Sequence, residues 1–294
     1  MTLYAVRQSI RYDFARPTGA GRQLFRILPA DIPGRQQVRD SGYAFQPEVG
    51  ERGEFRDFFG TRVIEAAMPP GLISLDLTMH SVVERTADDA LLDLSPPLSG
   101  LAAELAAHRT VGPRAPHHFT RPSRRIAATP QIAAFAQDLR SDQSTARDMV
   151  ETLGRALHDH MTFDSKATSV NTTPEDAFVQ GRGVCQDFAQ IMVGALRAIG
   201  VPAAYVGGYL RTLPPPGKPR LVGADAMHAW VRAWAGEEMG WVDYDPTNAC
   251  FARNDHIDVG FGRDYDDLAP VTGRLRLDGR QSGSHSVDIE EITP

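Results

Sequence analysis

Apolar and polar residues alternate along LYAVRQSIRYDF (3–14) and again along LDLTMHSVVER (75–85), the two-residue period of strands with one buried face. Turn residues such as PADIPG and MPPG separate these runs, and no helical period persists before about residue 85. The first segment therefore reads as β-rich. The spacing then changes. LSGLAAELAAHR (98–109) carries helical spacing, with Ser99 as its expected cap. VGPRAPHHFTRPSRR (111–125), rich in proline and arginine, reads as a surface loop or linker.

From about residue 130 the apolar positions recur every three or four residues. PQIAAFAQDLR (130–140), TARDMVETLGRALHDHM (145–161) and CQDFAQIMVGALRAIG (185–200) predict three helices. SKATSVNTTPEDAFVQGRG (165–183) reads as a loop between the second and the third. The third helix places Phe188, Met192 and Leu196 on one face and ends at Gly200 and Pro202. Short strand-like runs follow: AAYVGGYL, HAWVRAWA and GWVDYDP. The tail VTGRLRLDGRQSGSHSVDIEEI reads as a final β-pair.

At 294 residues the chain can build one large or two smaller cores. Its 42% hydrophobic and 23% charged content is that of a globular protein, and a net charge of −6 argues against a nucleic-acid partner. Arg7 and Arg11 interrupt any apolar leader, and no stretch is apolar enough to span a bilayer. The expectation is a cytoplasmic protein with no membrane partner. Its two cysteines are then expected as thiols, and they are too few for a Cys-rich zinc site. No metal site is expected.

Cys185 is where the chemistry concentrates. Gly181 and Gly183 break the preceding structure, so the cysteine stands at a helix N-terminus, where free N–H groups favour a thiolate and can hold an oxyanion. His228 opens a strand whose hairpin partner is WVDYDP. If the turn centres within Gly236–Gly240, His228 lies opposite a residue near 244–249, a window that contains Asp245. Nucleophile, base and orienter are then in reach of one another. Asp187, on the first helical turn, is expected to serve backbone N–H groups, since its charge opposes a thiolate. Cys250 reads as a packing thiol, Trp230, Trp234 and Trp241 as core, and GRDYDDLAP (262–270) as a solvated acidic loop.

Four blocks carry a resemblance to a family: GRGVCQDFAQIMVGALRAIGVPAAYVGGYL, HAWVRAW, GWVDYDPTN and HIDVGFGRDYDDLAPVTG. With LYAVRQSIRYDF, RILPADIPGRQQ and RDFFGTRV in the first segment, the chain resembles bacterial transglutaminase-like proteins, a superfamily that includes candidate cysteine proteases. The resemblance implies an α+β, papain-like core, in which a helix bearing the cysteine packs on an antiparallel sheet, preceded by a β-rich N-terminal domain. Expected boundaries are 1–110 for the N-terminal domain, 111–129 for a linker and 130–294 for the catalytic domain. The family's triad falls on Cys185, His228 and Asp245, acting on a peptide or protein amide through a thioester, with no cofactor. Hydrolysis, transamidation and a non-catalytic binding role all remain open at this stage. The Cys185 backbone N–H is the expected oxyanion donor. Gln180, five residues before Cys185, has the spacing of the oxyanion glutamine of papain-like proteases, the alternative being an exposed loop amide. Access is expected to be controlled by SKATSVNTTPED and RTLPPPGKPR. A free strand edge in the N-terminal domain could pair between subunits of a homo-oligomer.

Overall fold

The computed structural model describes residues 1–86, 92–212 and 225–292. Six strands come first: β1 (Thr2–Phe14), β2 (Gly21–Phe25), β3 (Gln36–Gln46), β4 (Arg52–Arg56), β5 (Arg62–Met68) and β6 (Ser74–Arg85). Then follow α1 (Leu98–Ala107), α2 (Pro130–Asp138), α3 (Ala146–His160), β7 (Thr162–Phe163), α4 (Pro174–Gln180), β8 (Arg182–Gly183) and α5 (Cys185–Ala198). The chain closes with β9 (Ala203–Leu210), β10 (Ala226–Trp234), β11 (Trp241–Asp245), β12 (Cys250–Phe251), β13 (His256–Gly262), α6 (Tyr265–Leu268), β14 (Val271–Leu275) and β15 (Gln281–Ile292). The architecture is α+β with antiparallel main sheets, as the resemblance implies.

Two four-stranded sheets, ordered β15-β1-β6-β3 and β14-β2-β5-β4, build the β-rich layers. Their inward residues, among them Val6, Phe25, Ile64 and Leu77, share a core with Tyr209 and Ile257 of the third sheet. That sheet runs β12-β11-β10-β9-β13. Farther along the same face, Ala229, Val231 and Tyr244 enter a second core with Leu153, Phe188, Met192 and Leu196 of α3 and α5, while Ala204, Val206 and Trp230 on the reverse face pack with Phe119, Phe261 and, between β4 and β5, Phe59. Both faces of the third sheet are thus covered, which explains its apolar runs.

The layers are also joined by buried charge. Arg232 on β10 makes a bidentate contact with Asp243 at 2.7 and 2.8 Å and reaches Asp258 at 2.7 Å. From the N-terminal strands and their loops, Arg35 meets Asp243 at 2.7 Å and Arg85 meets Asp258 at 3.2 Å. Burial alone would raise Asp243, but Arg232 and Arg35 hold it well below the usual carboxylate range. Nothing in the one-dimensional pattern distinguishes these charges from solvated ones.

Four local readings differ from the structure. Pro97, not Ser99, stands at the N-cap position of α1, with no side-chain cap, because Ser99 already lies within the helix. The loop expected over 165–183 contains α4: Thr173 caps it by accepting from the Asp176 N–H at 3.1 Å, and Pro174 occupies the first turn. The tail strands do not pair with each other. β14 pairs with β2 and β15 with β1, so the C-terminal segment completes the two N-terminal sheets. Cys250 is exposed rather than packed. Each difference arises from a partner far along the chain or from a cap too short to carry a period.

Candidate active site

Cys185 is the first residue of α5, and Val184 precedes it in extended conformation. The helical ladder begins with the Asp187 and Phe188 N–H groups, which both close on the Val184 carbonyl. Asp187 lies buried at the third helical position and turns back to accept from the Val184 N–H at 2.9 Å and from the Thr168 hydroxyl at 2.6 Å. Burial pushes its carboxyl above the ordinary value, which weakens its opposition to a thiolate nearby. Asp187 therefore fastens both the helix start and the 165–173 loop.

The hairpin forms with Val231 opposite Tyr244 and Trp234 opposite Trp241. Continued by sequence, this register sets Asp245 on the same face as His228 and one diagonal step away. His228 Nε2 lies 2.7 Å from Asp245 Oδ2, and Cys185 lines the same cleft wall as His228, near enough to raise the imidazole. With Nε2 committed to the carboxylate, Nδ1 is the nitrogen left for sulfur. Burial alone would lower His228, yet Asp245 and Cys185 together raise it to about 10.

Asp245 is fully buried at the end of β11. Its Oδ1 accepts from the Thr247 and Asn248 N–H groups at 2.9 and 3.2 Å, and its Oδ2 accepts from the Asn248 amide at 2.7 Å. A further imidazole, His256 on β13, stands with Nε2 at 3.1 Å from the same Oδ2. Burial would raise this carboxyl, but His228 and His256 hold it well below its ordinary value. His228, Asp245 and His256 are of metal-ligand type, with donor atoms within 4.8 Å of one another. Two ligands of a tetrahedral ion at ~2.0 Å would stand roughly 3.3 Å apart. The 2.7 Å separation of His228 from Asp245 is instead that of a shared proton.

The site opens into a cleft of about 740 Å³ lined by Cys185, Gln186 and His228 on one side. Tyr12, His285 and Arg26 of the β-rich layers supply the opposite wall. Tyr265 and Leu268, from the segment read as a solvated loop, also line it, so GRDYDDLAP borders the cleft. Phe163 and Ser165 place the start of the SKATSVNTTPED loop at its rim. Residues 213–220 of RTLPPPGKPR lie outside the described residues. Tyr205, buried beside Cys185, has its phenol raised well above 10 by burial, so it remains an O–H donor at neutral pH.

Gln180 is not brought to the cleft. It is the exposed last residue of α4, and Gly181, with φ of 64°, turns the chain away before Cys185. His256 and Tyr205 escaped the sequence reading. His256 lies within a block that carries the family resemblance, but nothing local couples it to Asp245, eleven residues away. Trp230 and Trp234 are core residues, as expected.

The model of the Transglutaminase-like superfamily matches residues 133–246, and that of the Bacterial transglutaminase-like N-terminal region matches residues 4–84. A Mycobacterium leprae protein is 32% identical over 243 residues, which cover 80% of this chain and 78% of the relative. The chain belongs to the transglutaminase-like superfamily. A relative from Mycobacterium tuberculosis is 35% identical over 216 residues, 66% of this chain, and the match spans 65% of that protein's own length. A Protein-glutamine gamma-glutamyltransferase of Pseudomonas aeruginosa is 34% identical over 122 residues, 40% of this chain and 18% of that enzyme. The crystal structure of a cysteine-protease candidate from Cytophaga hutchinsonii superposes over 100% of this chain and 91% of its own, with a TM-score of 0.75 at 19% identity. The likeness to that structure establishes the transglutaminase-like fold with its β-rich N-terminal region. Among the described residues, no helix is long and apolar enough to cross a membrane.

Proposed function

We propose that this protein is a cysteine-dependent amide or peptide hydrolase working through a thioester. The observation that carries the reading is the His228–Asp245 hydrogen bond with Cys185 beside His228 at the wall of an open cleft. In this scheme His228 takes the Cys185 proton, and sulfur attacks the substrate carbonyl carbon. The Cys185 backbone N–H, at the helix start, helps hold the oxyanion. Collapse of the tetrahedral species breaks the C–N bond, and the leaving amine departs with the proton from His228. Water, deprotonated by His228, then cleaves the thioester and regenerates the thiol. Asp245 orients the imidazole and stabilises its charged form.

The 122-residue similarity to a glutamine gamma-glutamyltransferase favours a second reading on the same residues, in which an amine replaces water as acceptor. The substrate in either case is a peptide or protein amide, and the reducing cytoplasm is the setting that suits two free thiols. The experiment is product mass from a peptide library with and without an added primary amine. A gain of water supports hydrolysis, and a gain of amine with loss of ammonia supports transamidation. Equal turnover by Cys185→Ala would refute both.

A further inference from the structure

We infer that His256 is a positioning residue for this site: as the neutral Nε2–H tautomer, it holds Asp245 in place for His228. The inference rests on the triad proposed above. His256 is 5% exposed, and its two nitrogens have different partners. Nε2 faces Asp245 Oδ2 at 3.1 Å, while Nδ1 accepts from the Arg253 backbone N–H at 3.3 Å. The His256 N–H closes back on the Arg253 carbonyl at 3.0 Å, so a tight turn aligns that donor with the ring. An Nδ1 that accepts carries no proton, so the proton sits on Nε2 and points at Asp245.

The ring is also held in plane. Trp230 meets it edge to face, with ring centroids 5.2 Å apart, and Trp230 Nε1 is anchored on Asp243 at 3.1 Å. Gly208 permits this packing, because a Cβ there would strike both the Trp230 ring and the Ile257 carbonyl. The titratable side chain bonded to His256 is Asp245 on β11, with His228 on β10 beyond it at 6.1 Å between ring centroids. On its own strand, Asp258 is committed to Arg85 and Arg232, and just before that strand Asp255 is committed to Tyr4 and Arg211. One carboxylate therefore serves two imidazoles with unequal duties. His228 carries the mobile proton, and His256 supplies a fixed one. The fixed proton selects the carboxylate rotamer that addresses His228, as outer partners of metal-bound and catalytic histidines do elsewhere.

The test compares iodoacetamide alkylation of Cys185 against pH in wild type, His256→Leu and His256→Gln, with peptide mass as readout. Leucine fills the space without a donor, whereas glutamine returns an N–H at similar reach. The expected result is a loss of about tenfold in alkylation rate at pH 6 for His256→Leu, the effect of one lost hydrogen bond to a charged group. The pH profile should move toward that of an ordinary thiol, and His256→Gln should recover most of the rate. A folded His256→Leu with the wild-type profile would overturn the inference, as would a His256→Gln no better than leucine. If neither variant folds, ¹⁵N shifts of His256 in the wild type decide: an Nε2–H neutral ring at pH 7 supports the assignment, and an Nδ1–H or doubly protonated ring overturns it. A wild-type thiol that alkylates with an ordinary profile, while His256 keeps its Nε2–H tautomer and its bond to Asp245, would refute the proposed function rather than the placement of His256.

Discussion

Replacing His228 by glutamine removes a buried group that the folded protein holds protonated up to about pH 10, against 6.5 for an ordinary histidine. A group raised on folding contributes stability that is fully present below its unfolded value and is lost as pH climbs through its folded value. The window here is therefore pH 6.5 to 10. Across it the contribution falls by about 1.4 kcal/mol per pH unit, from a ceiling of about 5 kcal/mol. Part of the shift comes from Cys185. The comparison is therefore best repeated in a Cys185→Ala background, where Asp245 remains and the ceiling falls to roughly 2–3 kcal/mol. The assay is urea denaturation at pH 6, 7, 8 and 9, with fluorescence of the buried tryptophans as signal. In that background the stability advantage of His228 over glutamine should shrink by roughly 2–3 kcal/mol between pH 6 and pH 9. An advantage that stays constant or grows over that range in the Cys185→Ala background would refute the imidazolium held by Asp245.

Other consequences are separately measurable. Cys185→Ala should abolish turnover while leaving the thermal midpoint within a few degrees, because the thiol is only half-buried at a helix start. Asp245→Asn should lower kcat by about 10³–10⁴-fold; whichever way the amide faces, an NH₂ group meets donors that now point at a carboxylate oxygen. Asp243→Asn leaves Arg232 and Arg35 short of a countercharge and should cost about 3–5 kcal/mol in chemical denaturation. Gly208→Ala should destabilise by about 1–3 kcal/mol, since the added methyl collides with the Ile257 backbone and the Trp230 ring.

Much of this protein is written locally. Strand alternation in β1 and β6, the helical period of α3 and α5, and the glycines ahead of Cys185 follow from interactions within a few residues. The placement of Asp245 near His228 was also legible, because a short hairpin ties register to turn position. What the sequence could not decide depends on which distant segments meet. β14 and β15 look like a hairpin by pattern, yet each pairs with a strand more than 200 residues earlier. Asp243 and Asp258 look like ordinary strand carboxylates until Arg35 and Arg85 arrive from the N-terminal layers. His256 acquires a partner only because the end of β13 meets the end of β11, although β10 and β9 lie between them in the sheet order. Periodicity records which face of an element avoids water, and it carries no information about which buried polar atom will find which other. That choice is made by three-dimensional packing, where a buried donor left without an acceptor costs more than the segment that carries it can repay.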